Sequence, residues 1–185
     1  MERYFTTVED VELTDRLLEA TMKTVIHNGP IVMREPKNYA ARAEIMWAGS
    51  IAHNDLLSTG RESDFASHMI EHELSAIYDI AHGAGLAIII PAWMKHVHRF
   101  KVEKFAQFAN RVMNVDANFG SLEQTALEGI EKLEQFYKVM GLPTRLSNVN
   151  ITDEKFGLMA KKALKIGSIK KMTEEDVLAI YTLAA

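Results

Sequence analysis

The segment from residue 67 to residue 93 reads SHMIEHELSAIYDIAHGAGLAIIIPAW and holds three of the seven histidines in the chain. An α-helix turns about 100° per residue, so His68 and His72 lie one above the other on one helical face. His82 opens a new segment after Asp79. Two imidazoles from one helix and a third from the next can converge on a divalent metal, because neutral imidazole binds zinc, iron and nickel. The segment therefore predicts a pair of helices with a candidate metal site.

Apolar residues recur at helical spacing along almost the whole chain, which predicts an all-α fold in one domain spanning residues 1–185. Residues 86–90 (LAIII) suit a short buried strand by composition, but no partner strand is predicted and a buried helix is favoured. We expect Gly29-Pro30 to end the first helix, Ser63 or Asp64 to cap the third, and Pro91 to kink or interrupt the fourth. The expected helices cover residues 10–28, 38–57, 64–78, 82–97, 101–114, 121–140, 152–166 and 173–183.

The composition excludes several classes of partner and chemistry. The formal charge of −4 argues against nucleic acid, and we read the lysines between residues 161 and 171 as a solvated helical face and turn. The chain has no cysteine, so disulfides and thiolate ligands are excluded. The sequence begins MERYFTTVED, without the apolar core of a signal peptide, and its longest apolar stretch is too short to cross a membrane. We expect a cytoplasmic protein.

Two other interpretations of the histidines stay open from the residues alone. In the first, the histidines only form hydrogen bonds on an amphipathic helix; Glu71 and Glu73 either orient an imidazole ring or are exposed, and exposure is favoured for Glu73. In the second, His68-Met-Ile-Glu71-His72 matches H-x-x-E-H, the inverted-zincin peptidase signature, with Glu71 as general base. That enzyme needs a further carboxylate ligand from a downstream helix. The available residues are Glu128, Glu131 and Glu134.

The remaining histidines and the two tryptophans are weaker candidates. We expect a structural or surface role for His53, although it could approach a substrate pocket. The other histidines are His27, His96 and His98, of which the last two are expected at the surface. Both tryptophans, Trp47 and Trp93, are expected in the core.

The order of residues around the histidines is more specific than their spacing. His68 is followed four residues later by His72 and ten residues after that by His82-Gly83, which opens an Ala- and Leu-containing helix that reaches Pro91. This pattern resembles the iron-containing (group III) alcohol dehydrogenases, in particular their butanol-dehydrogenase branch. The resemblance extends over essentially the whole chain. It includes the stretches GPIVMREPKNYAARAEIMWAGSIAHNDLL, FANRVMNV, FYKVMGLPTRLSN and LAIYTLA.

The resemblance implies a fold and an activity. The fold is an array of about eight helices, the C-terminal domain of dehydroquinate synthase-like and iron-alcohol-dehydrogenase proteins. His68 and His82 would be metal ligands, and His72 would lie near the nicotinamide and substrate, where it helps proton transfer rather than binding the metal. The metal would be Fe²⁺, with Zn²⁺ as an alternative. The reaction would interconvert simple primary alcohols and aldehydes with NAD or NADP.

The sequence departs from this family in one large respect. Full-length members bind the metal through four protein groups, and two of these are an Asp and a His four residues apart on a helix. Here the spacing occurs only from Asp64 to His68, and His68 is already assigned. We also find no Gly-rich turn between a strand and a helix that would hold a dinucleotide. We therefore expect an isolated chain without the N-terminal dinucleotide-binding domain, with weak metal binding at best and no alcohol oxidation.

Two further expectations follow from that departure. Helices that normally pack on a second domain would expose apolar surface, so we expect a homo-oligomer. The alternative function is a non-catalytic helical assembly or binding module derived from a truncated dehydrogenase gene.

Overall fold

The computed structural model describes residues 1–116 and 121–185, and within these ranges it contains eight α-helices and no β-strand. The all-α prediction is confirmed. The α-helices are α1 (Glu12–Arg34), α2 (Tyr39–His53), α3 (Ala66–Tyr78), α4 (His82–Val97), α5 (Val102–Arg111), α6 (Leu122–Val139), α7 (Phe156–Lys162) and α8 (Glu174–Ala184). Short 3-10 helices cover Glu2–Tyr4, Leu56–Ser58, His98–Phe100, Leu146–Val149 and Asp153–Lys155.

Helix α4 lies at the centre of the fold. It packs against α3, α6 and α8, and its side chains Ile88, Ile89 and Trp93 are completely buried. The LAIII stretch belongs to this helix, as the missing partner strand indicated, and the helix continues through Pro91. Since the first residue of α4 is His82, the burial of this helix fixes the position of one end of the candidate site.

The other main contacts between helices are those of α1 with α2, of α5 with α6, and of α7 with both α8 and α3. The contact between α5 and α6 is unusually close. A Cβ placed on Gly129 would be 2.3 Å from Cβ and 2.7 Å from Cα of Ala109. A glycine facing an alanine is therefore what lets these two helices approach.

Two helices begin where the sequence predicts a helix start. Ser121 caps α6, because its hydroxyl accepts a hydrogen bond from the backbone N–H of Gln124. Thr173 and Asp176 cap α8 reciprocally: the Thr173 hydroxyl accepts from the Asp176 N–H, and the Asp176 carboxylate accepts from the Thr173 N–H.

Other predicted ends were wrong. Helix α1 does not stop at Gly29-Pro30 but runs on to Arg34. Gly29 lies against Met140, where a Cβ would come within 3.1 Å of the methionine Cε, so packing outweighs the local stop signal. Helix α2 ends at His53 rather than at residue 57, and α7 covers Phe156–Lys162 rather than residues 152–166.

The start of α3 also differs from the prediction. The helix begins at Ala66, after Phe65 in a left-handed conformation with φ of 57°. Asp64 still holds this end, because one carboxylate oxygen accepts from the Ala66 N–H at 3.0 Å and the other from the Ile169 N–H at 2.8 Å. The start of the histidine helix is thus tied to a segment far away in sequence.

A buried polar network joins α1 to α5. Asp15, whose side chain is 5% exposed, accepts hydrogen bonds from Arg61 at 2.7 Å, from Gln107 at 2.9 Å and from Lys104. Gln107 also donates to the Tyr4 hydroxyl at 2.7 Å. The network therefore connects the N-terminal 3-10 helix to the body of the fold.

The exposure of the two tryptophans and of His98 agrees only in part with the sequence-based expectations. Trp93 is in the core, but Trp47 is 64% exposed, so its predicted core position was wrong. His98 was also misplaced: it is buried, and its Nδ1 donates to the carbonyl of Lys95 at 2.8 Å. Tyr39 and Met46 on α2 are, like Trp47, exposed apolar residues. Among the described residues, no helix is both long and apolar enough to cross a membrane.

Replacing Gly129 with alanine tests the close contact between α5 and α6. We expect Gly129→Ala to lower the free energy of unfolding by about 1–3 kcal/mol, because the added methyl group overpacks against Ala109. Gly157→Ala on α7 is the matched control, since a Cβ there meets nothing within 4 Å. Urea denaturation followed by circular dichroism measures both. Equal stability of Gly129→Ala and wild type would contradict the close contact.

The Asp15 network makes a prediction about pH. Burial by itself raises the pKa of Asp15, but hydrogen bonds from Lys104, Arg61 and Gln107 outweigh it and hold the pKa below its ordinary value. The stabilisation is therefore complete above the unfolded pKa of about 3.9 and is lost as the pH falls through the folded pKa. We expect Asp15→Asn to cost about 3–5 kcal/mol at pH 7, because it leaves two buried cations unpaired. Urea denaturation should show that cost shrinking below about pH 4; a constant difference would contradict the assignment.

Candidate metal centre

Helices α3 and α4 bring the three predicted histidines together. His68 and His72 lie on α3, the chain reverses at Asp79 in a left-handed conformation, and His82 begins α4. The ring centroid of His82 is 5.4 Å from that of His68 and 5.4 Å from that of His72. The spacing in the sequence thus corresponds to one cluster of imidazoles in the fold.

A buried glutamate lies behind His82. Glu71 is completely buried on α3, and one of its carboxylate oxygens contacts Nδ1 of His82. Its other oxygen accepts a hydrogen bond from the Ser75 hydroxyl at 2.5 Å. Of the two alternatives that the sequence left for Glu71, the structure shows the one in which it orients an imidazole. Glu73 is half-buried.

Gly85 makes room for this carboxylate. A Cβ on Gly85 would lie 2.2 Å from Oε1 of Glu71 and 2.7 Å from its Cγ, closer than real atoms approach. Any side chain at this position of α4 would therefore displace Glu71. Gly85 therefore contributes to the site because its lack of a side chain leaves room for Glu71.

A second buried glutamate lies behind His68, and the sequence analysis missed it. Glu2, in the 3-10 helix before α1, is 1% exposed and contacts Nδ1 of His68 through Oε2. Its Oε1 accepts a hydrogen bond from the Ser67 N–H at 2.7 Å. The one signal in the sequence was weak: an acidic residue two positions before the apolar pair Tyr4-Phe5. Nothing local connects it with a histidine 66 residues away.

These contacts determine which ring atoms remain available. Because Nδ1 of His68 and Nδ1 of His82 both face carboxylates, Nε2 is the nitrogen of each ring that has no hydrogen bond to any residue the structure describes. The two side chains are 28% and 47% exposed, so both rings reach solvent. Imidazole rings whose Nδ1–H is held by a carboxylate are typical ligands, through Nε2, of zinc and other divalent transition metals. The donor set therefore fits a divalent metal.

A different set of atoms also meets the geometry of a metal site. In the described part of the chain, Glu71, His72 and His82 offer one donor atom each within 4.8 Å of one another. This set would use Glu71, whose two oxygens already contact His82 and Ser75. It competes with the pair His68 and His82 as an explanation of the cluster.

The peptidase interpretation does not fit this geometry. Its general base would be Glu71, which is completely buried and engaged. Its extra ligand would come from α6, but Glu134 pairs there with Lys95 at 2.8 Å and Arg145 at 2.9 Å. The remaining candidates are Glu128, which lies 3.8 Å from Lys132, and Glu131.

Of the other histidines, His53 borders the same cavity as His68. It lines a cavity of about 170 Å³ that is also bordered by His68 and Glu2, and its Nδ1 donates to the Gly49 carbonyl at 3.0 Å. His96 is bonded to Asp176 at 2.8 Å, and His27 is exposed. The structure thus brings only His53 near the candidate centre.

Comparison with known proteins gives one consistent result. NADH-dependent butanol dehydrogenase 1 of Bacillus subtilis, described as probable, is 40% identical over 182 residues, which cover 97% of this chain and 47% of that protein. The solved structure of NADH-dependent butanol dehydrogenase A from Thermotoga maritima matches with a TM-score of 0.92 and 35% identity, over 100% of this chain and 48% of that one. The aldehyde reductase YqhD from E. coli matches with a TM-score of 0.94 and 32% identity, over 100% and 49%.

The chain spans about half the length of these relatives, 47% to 49%. The sequence profile of the Fe-containing alcohol dehydrogenase family, C-terminal, matches residues 1–185. The chain therefore belongs to the iron-containing alcohol dehydrogenase family and corresponds to its C-terminal domain.

Proposed function

We propose that this chain is the metal-binding half of an NAD(P)-linked alcohol dehydrogenase or aldehyde reductase for simple primary alcohols. The observation that carries the proposal is the pair His68 and His82. They face each other from two helices, and each has Nδ1 on a buried carboxylate and Nε2 free. The names of the relatives support the same class of reaction.

In this proposal His68 and His82 hold the metal through Nε2. Fe²⁺ is the proposed ion, although nitrogen donors also suit Zn²⁺. The metal would polarise the substrate oxygen, and the nicotinamide cofactor would carry the hydride. Burial of Glu71 against His82 favours the His68 and His82 pair over the set with Glu71, because the carboxylate is already in use.

His72 has a different role in the proposal. It is exposed, its ring is 5.4 Å from that of His82, and within residues 1–116 and 121–185 it forms no hydrogen bond to a carboxylate. An imidazole ordinarily titrates near neutral pH and can therefore pass a proton to or from a substrate oxygen. In this proposal His72 transfers the proton, while His68 and His82 bind the metal.

Two imidazoles leave a metal site incomplete. An Asp and a His, together with the dinucleotide-binding domain, would come from the part of the relatives that this chain does not match. We therefore propose that the isolated chain binds metal weakly and does not oxidise alcohols. The non-catalytic assembly module remains the alternative, favoured only by the exposed apolar residues of α2.

Titration of the purified chain with Co²⁺, followed by calorimetry and by d–d absorption, tests the assignment of the ligands. We expect His68→Ala and His82→Ala each to lower the affinity at least about tenfold, because each removes a ligand. His72→Ala should leave it within about threefold, and His27→Ala is the control for removal of an exposed histidine. An equal loss in His72→Ala, or no loss in His68→Ala, would contradict the assignment.

The exposed apolar residues of α2 make a separate prediction about assembly. Tyr39, Met46 and Trp47 are 85%, 70% and 64% exposed on one helix, and apolar patches of this kind promote association. We propose that the chain forms a homo-oligomer. Light scattering of the purified chain measures this, and Met46→Lys should shift the distribution toward smaller species. A wild-type chain that is entirely monomeric would refute the proposal.

A further inference from the structure

We propose that Glu2 and Glu71 are positioning residues of the metal centre, each holding one histidine ring so that its Nε2 faces the ion. This inference rests on the proposed function, in which His68 and His82 are the ligands. It assigns a role to two carboxylates that do not themselves touch the metal.

Glu2 is held in place at both ends. Its carboxylate bridges two consecutive groups of α3, the backbone N–H of Ser67 and Nδ1 of His68. Its backbone belongs to a 3-10 helix whose Tyr4 is completely buried. Arg61 adds hydrogen bonds to the carbonyls of Arg3 at 3.0 Å and Tyr4 at 3.3 Å. The carboxylate therefore has one orientation, and so does the ring that it contacts.

Glu71 is confined just as tightly. Ser75 binds one oxygen, His82 contacts the other, and the backbone of Gly85 on α4 closes over the carboxylate. Glu71 lies on α3, the helix that carries His68, but its carboxylate contacts the ring of His82 on α4. It therefore links the position of the second ligand to the helix that carries the first.

The charges of the two carboxylates support the same conclusion. Glu2 is 1% and Glu71 is 0% exposed, and in the described ranges neither forms an ion pair with a lysine or arginine. A buried carboxylate is costly without a compensating positive charge. A divalent ion bound to Nε2 of both rings would balance two carboxylates at the far side of the same rings. The ion would therefore offset the charge of both buried carboxylates.

Co²⁺ binding to the full chain tests the role of the carboxylates. We expect Glu2→Gln and Glu71→Gln to lower the affinity about 10- to 100-fold and to shift the d–d absorption bands, because the rings lose a charged acceptor. Glu73→Gln is the matched control: it removes the same charge from the same helix, and in the described structure Glu73 has no hydrogen bond to a histidine. A purely structural role would change stability but would leave the spectrum of the bound ion unmoved.

Gly85→Ala tests the position of the Glu71 carboxylate without removing a charge. It keeps the proposal testable if a glutamine variant fails to fold because a charge is lost. Its methyl group should displace the Glu71 carboxylate and lower Co²⁺ affinity like Glu71→Gln, while no charge is changed. Gly83→Ala on the same helix is its control, since a Cβ there meets nothing within 4 Å. Circular dichroism shows whether each variant is folded.

A measurement without metal separates the two proposals. Nitrogen-15 NMR at alkaline pH should show His68 and His82 of the metal-free wild type as Nδ1–H tautomers. Nε2–H tautomers would overturn the positioning role. Unchanged Co²⁺ affinity in Glu2→Gln, Glu71→Gln and Gly85→Ala would also overturn it, while losses in His68→Ala and His82→Ala left the proposed function standing. No Co²⁺ binding by the wild-type chain would instead overturn the proposed function.

Discussion

Burial of helix α4 is the constraint on which the rest of the structure depends. Its side chains Ile88, Ile89, Trp93 and Met94 are completely buried against α3, α6 and α8. Each such side chain contributes about 1.5–3 kcal/mol relative to an exposed one. A helix held on three sides cannot slide along its axis, so its first residue, His82, has a fixed position opposite α3.

The candidate site uses this rigidity together with two buried carboxylates. The helices place the imidazoles within reach of one another, and Glu71 and Glu2 determine which nitrogen of each ring is free. The polar network around Asp15 and Arg61 matters to the site because Arg61 holds the N-terminal 3-10 helix that carries Glu2. The orientation of the histidine rings thus depends on the buried carboxylates, and the position of the carboxylates depends on the packing of the helices.

The sequence predicted the helices because each has a periodic apolar face, and it predicted the histidine cluster because its members are close in sequence. What it missed depends on contacts between distant residues. Helix α1 passes Gly29-Pro30 because Met140 packs there, and Glu2 acts on a histidine 66 positions away. Trp47 was assigned to the core on residue type alone, which says nothing about the face of α2 on which it lies.

An anomalous-difference crystallographic map of the chain soaked with Zn²⁺ would show which atoms bind the metal. We predict one peak about 2.0–2.1 Å from Nε2 of both His68 and His82, with Glu2 and Glu71 still on their Nδ1 atoms. A peak bound instead by a Glu71 oxygen, His72 and His82 would contradict it, because Glu71 would then be a ligand and His68 would not.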